Sequence, residues 1–296
     1  METQTQKNLS GAFTLPGTSL TLNRIGYGAM QLPGPHVWGP PKDRRGALAV
    51  LKEAAALGIN HIDTADAYGP NVSNELIREA LYPYPDNLVI VTKVGYRRGP
   101  DGSWLPASSA ADLERAIHSN LTVLALDAID IVNLRAGGTM GPHEGSIKEP
   151  LEVLAGLKKK GLIRHIGLSN VTPRQFAEAE SITEIVCVQN QYNLAHREDD
   201  DFIDALAAKG IGYVPFFPLG GFTPLQSPAL DNAVRVMKAT PMRVALAWLL
   251  QRSPNILLIP GTSSVDHLRE NVKAAMLQIP PGTLAERNAI AGSNRK

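Results

Sequence analysis

Short apolar runs alternate along this chain with longer stretches in which apolar residues recur at helical spacing, and glycine or proline marks many of the joins. Residues 13–22, two β-prone halves about Pro16-Gly17, predict a hairpin. Residues 24–27 predict the first strand of an alternating series, followed by Gly28, where backbone must pass close to a neighbour. A helix is predicted over 44–57, with Ala47, Val50, Leu51 and Ala54 on its inner stripe and Gly58 ending it. Strand 59–62, helix 73–81 and strand 88–92 come next. After a loop over 95–106, Ser109 and Asp112 open a helix whose stripe is Leu113, Ile117, Leu121 and Leu124. Further strands are predicted at 128–134, 163–168, 185–189, 212–217 and 256–259. Further helices are predicted at 147–160, 172–180, 199–209, 229–238, 242–251 and 265–276. Strands that alternate with helices in this way call for a parallel sheet.

Composition acts mainly by exclusion. Apolar residues at 44% and charged ones at 19% are ordinary for a globular protein. A net charge of +1 gives no bulk attraction to nucleic acid or to an anionic membrane. No apolar run approaches the ~20 residues of a membrane span. Residues 1–12 are polar and lack the apolar core of an export signal, so they are expected to be flexible and the protein cytoplasmic. The single cysteine, Cys187, lies in an apolar run and reads as a small core side chain. No metal site is expected.

The candidate chemistry gathers at strand ends. In His61-Ile62-Asp63-Thr64-Ala65-Asp66-Ala67-Tyr68-Gly69 a strand ends in Asp63 and a tight turn delivers Tyr68. In Val91-Thr92-Lys93 the next strand ends in Lys93. The C-terminal ends of parallel strands share one face, where ligands bind. An ammonium beside a phenol favours the phenolate, and a carboxylate keeps that ammonium charged and in place. A tyrosine in such company can pass a proton near neutral pH, which reduction of a carbonyl requires. Three unconnected surface residues are the competing reading.

H-I-D-T-A-x-x-Y-G followed by V-T-K resembles the signature of the aldo-keto reductases, and the likeness extends from about Phe13 to Met276. The resemblance implies a (β/α)8 barrel with an N-terminal hairpin; 296 residues suit one such domain, for which ~250 are typical. It also implies NADPH as cofactor, with NADH weaker, a small aldehyde substrate, and an Asp, Tyr, Lys, His tetrad. Asp63, Tyr68 and Lys93 take its first three roles. By the same resemblance Ser169 and Asn170 hold the nicotinamide carboxamide, which needs a donor and an acceptor side by side. Gln189 is the third carboxamide contact, with Gln191 a weaker rival on the same strand face. Phe216 stands where an aromatic ring stacks on the nicotinamide, a plain core aromatic being the alternative. Leu219, Gly220 and Gly221 offer backbone to the pyrophosphate. Gly261, Thr262, Ser263, His267 and Asn271 belong to the turn and helix start that hold the adenosine 2′-phosphate, where Ser264 caps the helix in any case. Many relatives carry Lys and Arg at the positions of Gly261 and His267, so a preference for NADPH is expected by a reduced margin.

The fourth tetrad role falls on Arg135, the last residue of Asp130-Ile131-Val132-Asn133-Leu134-Arg135. An arginine stays charged and cannot exchange protons as a histidine does, but it can donate to a carbonyl oxygen and stabilise charge developing there. A salt bridge without a catalytic role is the alternative. With the Pro218-Leu219-Gly220-Gly221 segment, this variant resembles the bacterial pyridoxal reductases of the superfamily. That resemblance implies reduction of pyridoxal to pyridoxine, a broad aldehyde reductase and an NADPH-binding regulatory subunit being the other readings. Substrate selection is expected of loops 33–41, 95–106 and 136–145.

Overall fold

The computed structural model describes residues 9–138, 141–218 and 228–280. It opens with the expected hairpin, β1 (Ala12–Thr14) paired antiparallel with β2 (Thr21–Asn23). Leu15 and Leu22 at its base are buried among Val89, Val91, Ile131, Val214 and Leu257, so the hairpin plugs the floor of the barrel. The polar start does not run free up to the hairpin: Leu9 is already buried in the core.

The parallel strands follow in chain order: β3 (Tyr27–Gly28), β4 (His61–Asp63), β5 (Val89–Arg98) and, past a short β6 (Trp104–Ala107), β7 (Ile129–Arg135), β8 (Ile163–Ser169), β9 (Ile185–Gln189) and β10 (Gly212–Tyr213). Leaving β6 aside, each bonds to the next in that order. Residues 256–261 form the last stave through single parallel bridges, Ile256 to Tyr213, Leu258 to Ile25 and Gly261 to Gly28. These bridges close the sheet into a (β/α)8 barrel. Several of the predicted strands, those over 24–27, 59–62, 212–217 and 256–259, are thus shorter than their pattern. The run 212–217 pairs as a ladder only at Gly212–Tyr213, because Pro215 and Pro218 have no N–H to give and Phe217 turns to φ 56°. At Gly28 an added Cβ would lie 2.4 Å from the Ile259 carbonyl oxygen, so only glycine lets the first and last staves meet.

The loop expected over 95–106 is instead a hairpin. β5 runs on beyond Lys93 to Arg98 and folds back on β6, pairing Arg98 with Trp104 and Gly95 with Ala107. Its glycines and prolines belong to the turn and the edge: Gly102 has φ +80°, and Asp101 accepts from the Ser103 N–H at 3.0 Å.

The helices form the outer layer: α1 (Arg44–Ala56), α2 (Val72–Leu81), α3 (Ala110–Leu124), α4 (Lys148–Lys159), α5 (Pro173–Glu180), α6 (Asp200–Ala208), α7 (Pro228–Met237), α8 (Pro241–Arg252) and α9 (Val265–Val272). The predicted stripe Leu113, Ile117, Leu121 and Leu124 of α3 is buried against the sheet, and Ser109 caps it by accepting from the Asp112 N–H. Thr172 and Gln175 make a reciprocal capping box at α5, with Pro173 at the first position. Each such cap is worth ~1 kcal/mol. The helix predicted over 265–276 breaks after Val272 into a tighter 3₁₀ turn.

Candidate active site

Period-two alternation sorts the strand residues into those facing the barrel interior and those facing the helices. On β5, Val89 and Val91 lie in the interior cluster and Lys93 is next on that side. On β7, Ile131, Asn133 and Arg135 rise in the same way, and β4 and β9 contribute Asp63 and Gln189. The register aligns Lys93 with Asn133, Arg135 with Ser169, and Ser169 with Gln189. The polar side chains therefore meet at the C-terminal mouth, around a cavity of about 240 Å³. Asp63, Tyr68, Lys93, Arg135, Ser169, Asn170, Gln189, Phe216 and Gly261 all line it.

Lys93 is the centre of the cluster. Its ammonium donates to Asp63 and, at 3.1 Å, to the Thr64 carbonyl, and it lies 5.1 Å from the centre of the Tyr68 ring. Burial disfavours the ammonium, but Asp63 and Tyr68 outweigh that and hold the Lys93 pKa above the usual lysine value. The second oxygen of Asp63 accepts from Gln189 Nε2 at 3.0 Å. A buried chain of side chains fixes the two strand ends from outside. Thr64 donates to Asn74 at 2.8 Å, Asn74 donates to Asn120 at 2.9 Å, and Thr92 donates to the same Asn120 oxygen at 2.7 Å. The residues following Asp63 and preceding Lys93 are thereby locked onto α2 and α3.

Arg135 behaves differently from the salt-bridge reading: among the described residues it makes no ion pair. Its Nη2 reaches the Gly138 carbonyl at 3.5 Å, its Nε is buried with no hydrogen-bond partner, and its guanidinium lies 5.1 Å from the Tyr96 ring and 5.2 Å from Trp104. Burial pulls its pKa down against the opposing effect of Tyr68, Tyr96 and Asp63, yet a guanidinium remains charged. The site thus holds an unneutralised cation next to Tyr68. Gly95, at φ +110°, lets the two strands approach at this level: a Cβ there would sit 2.5 Å from the Arg135 carbonyl oxygen.

A family model described as the aldo/keto reductase family matches residues 24–291. The chain belongs to that family. Pyridoxine 4-dehydrogenase of Escherichia coli (strain K12) is 63% identical over 284 residues, 95% of this chain and 99% of that protein. A thermostable aldo-keto reductase solved with the inhibitor epalrestat superposes with a TM-score of 0.79 at 28% identity, covering 94% of this chain and 99% of its own. An aldo-keto reductase of Klebsiella pneumoniae solved in complex with NADPH gives 0.78 at 21% identity, over 97% of this chain and 96% of its own, and speaks for the fold alone. This aldo/keto reductase is therefore an oxidoreductase, of a family that works with a nicotinamide cofactor on small carbonyl compounds. No helix among the described residues is long and apolar enough to cross a membrane.

The residues present fit a nicotinamide. Two buried amide oxygens at the cavity, Asn170 Oδ1 and Gln189 Oε1, have no hydrogen-bond partner, and a carboxamide NH2 has two hydrogens to give. Asn170 is held by donating to the Gly138 carbonyl, and Asn190 clamps the following turn by bonding both the N–H and the C=O of Val171, at 3.1 and 2.9 Å. Phe216 presents its ring to the cavity with Phe217 edge-on at 5.0 Å. Leu219 and Gly221 lie outside the described residues. The adenosine end is less uniform. Gly261 reaches the cavity, but Thr262 and Asn271 are buried, and the Thr262 hydroxyl accepts from the Ser264 N–H at 3.1 Å. Of the expected side chains, Ser263 and His267 are the exposed ones, at the start of α9 where Ser264 caps the His267 N–H.

Trp104, Val37, Met30 and Met242 also line the cavity, and sequence reasoning did not single them out. Val37 and Trp104 lie in loops expected to select substrate, but apolar side chains in a Gly- and Pro-rich stretch carry no signal of their direction. Cys187 is buried as expected, its thiol donating to Asn133 at 3.4 Å and its pKa pushed up to about 12 by burial.

Proposed function

We propose that the protein reduces pyridoxal to pyridoxine with NADPH. A bound reduced nicotinamide supplies hydride to the aldehyde carbon. Tyr68 donates its hydroxyl proton to the carbonyl oxygen as charge builds there, giving the primary alcohol. Lys93, kept charged by Asp63, stabilises the oxygen that Tyr68 leaves behind, and Gln189 and Thr64 keep Asp63 and Lys93 from turning away. Ser169, Asn170 and Gln189 orient the carboxamide, Phe216 faces the nicotinamide ring, and Ser263 and His267 meet the 2′-phosphate at the start of α9. With no lysine or arginine in that last position, the margin of NADPH over NADH is modest.

The observation that carries the substrate assignment is Arg135. A cation without an acidic partner, flanked by the rings of Tyr96 and Trp104, suits a planar aromatic aldehyde that bears negative charge near its carbonyl. Pyridoxal has a 3-hydroxyl that ionises near neutral pH, next to the aldehyde. The 63% identity to a pyridoxine 4-dehydrogenase supports the same reading. The test is NADPH consumption with pyridoxal against benzaldehyde and propanal. The expected result is a kcat/KM for pyridoxal at least ~10-fold above the others, one charge-assisted contact's worth. Faster turnover of propanal would assign a broad aldehyde reductase, and no turnover at all a nucleotide-binding regulator.

A further inference from the structure

Arg98 lies outside the catalytic cluster, yet its whole fork is engaged. The guanidinium carbon stands 4.3 Å from the centre of the Trp104 ring and 5.1 Å from that of Trp38. Its Nη1 donates to the Val37 carbonyl at 2.9 Å and its Nη2 to the His36 carbonyl at 3.2 Å. Its Nε and Nη2 both donate to the Gly102 carbonyl, at 3.0 and 2.7 Å. One side chain thus ties residues 36–38 to the turn of the β5–β6 hairpin. The first of these segments needs holding. His36 and Val37 both have φ 59°, in the left-handed region that a β-branched residue such as Val37 seldom enters. Its other ties run to the Tyr68 turn, with the Gly69 N–H donating to the Val37 carbonyl at 3.1 Å.

The two tied segments are both walls of the cavity. Val37 and Trp104 pack with Ala65 and Met30 around Tyr68. The Trp104 ring meets Tyr68 edge to face at 6.4 Å and receives the Arg135 guanidinium at 5.2 Å. Arg98, Tyr68 and Arg135 thus all meet the Trp104 ring. Its acceptors are backbone carbonyls, so nothing in the clamp titrates, and a lysine could not reproduce it because it lacks the planar fork.

We propose that Arg98 is a positioning residue for substrate selection: it welds loop 36–38 to the β5–β6 hairpin, and so sets Trp104 as a rigid aromatic wall that favours planar ring aldehydes over aliphatic ones. This rests on the aldehyde reductase reading above. Acting through Trp104, it leaves the chemistry of Tyr68 and the hold on the cofactor alone.

The experiment uses full-length Arg98→Gln, Arg98→Lys, Trp104→Leu and the Arg98→Gln/Trp104→Leu double variant. For each, kcat and KM with pyridoxal and with propanal are measured, with the NADPH Kd and the Kd of pyridoxine for the NADP-loaded protein, both by fluorescence. In Arg98→Gln the pyridoxal-to-propanal ratio of kcat/KM should fall by roughly 5- to 10-fold, the size of an aromatic contact, through KM rather than kcat. Lysine should restore it only in part, and the NADPH Kd should stay within about twofold. The double variant should be no worse for pyridoxal than Trp104→Leu alone, because residues acting as one unit are not additive. A parallel fall for both aldehydes, a shifted NADPH Kd, or additive losses would overturn the proposal. If the wild type turns over no aldehyde but binds pyridoxine, the function reading fails alone, and unchanged pyridoxine binding in Arg98→Gln then sinks this one. If the wild type neither turns over pyridoxal nor binds pyridoxine, both fail.

Discussion

Replacing Arg135 by histidine restores the tetrad usual in the family and removes the fixed charge, so it asks what that charge does. Two unit charges ~4 Å apart interact by about 4 kcal/mol at an effective dielectric of 20. Stripping water from a phenolate takes back part of this, leaving ~1–3 kcal/mol, the range measured for hydrogen bonds to charged groups. Arg135 has already surrendered its own water. Its Nε is buried and unpartnered, and no ion pair among the described residues would have to break before it could meet a substrate anion. The net gain should therefore lie in the upper half of that range. For Arg135→His, kcat/KM with pyridoxal should drop by roughly 30- to 150-fold, whereas benzaldehyde, with no oxyanion, should lose little or even gain. Lysine should rescue pyridoxal only partly, since it cannot present the guanidinium's planar fork and its flat face to Tyr96 and Trp104. The assay is NADPH absorbance with each aldehyde in turn, and the deciding quantity is the ratio of the two kcat/KM values. If both substrates fall by one common factor, Arg135 supports the site as a whole and does not read the charge on its substrate.

Tyr68→Phe should lower kcat by ~100-fold or more, the size of a general-acid contribution, with NADPH affinity unchanged in a fluorescence titration; turnover within a few-fold of wild type removes Tyr68 from the mechanism. Asp63→Leu leaves the buried Lys93 ammonium without its carboxylate and should cost ~3–5 kcal/mol in urea unfolding, while Asp63→Leu/Lys93→Met, equally inactive, should regain most of that. Equal stability of Asp63→Leu and wild type would show that the pair is not desolvated. His61, packed against the α-carbon of Gly26 inside the barrel, has its pKa pushed down to about 4 by burial, the Leu258 backbone opposing. The unfolded chain binds that proton between about pH 6.5 and 4 and the folded protein does not, so stability falls as pH falls through this window, by about 3 kcal/mol in all. His61→Gln should lose that much less between pH 7 and 4 in urea titrations, and an unchanged difference would mean that the ring protonates in the folded protein.

How much of this was legible in the sequence depended on whether a residue's direction was set by strand period or by something remote. Asp63, Lys93, Arg135 and Gln189 each end an apolar run, and two-residue alternation carries each to the mouth of a closed barrel, so reading the run amounts to reading the site. Barrel closure itself was not legible in periodicity, because the last stave bonds only through single bridges at Ile256, Leu258 and Gly261. The β5–β6 hairpin was hidden for a different reason. Gly99, Pro100, Gly102 and Pro106 are loop formers by type, and what makes a hairpin of them is the pairing of Arg98 with Trp104. The supports of the site were equally silent. Asn74 and Asn120 look like poor helix residues until each is seen bonding a strand-end threonine across the sheet–helix boundary. Arg98 looks like a surface charge until its acceptors appear, and those are carbonyls, which every residue has and no sequence pattern marks. Asp63, Lys93, Arg135, Ser169 and Gln189 lie on strands, where sequence can place them, and Tyr68 lies in the turn that directly follows one. The groups that hold them, and that shape what they meet, act through backbone carbonyls and ring faces brought together from distant parts of the chain. Substitutions that alter substrate choice in this aldo/keto reductase should therefore fall on Arg135, which reads charge, and on 36–38 and the β5–β6 hairpin, which shape the wall, and leave Asp63 and Lys93 untouched.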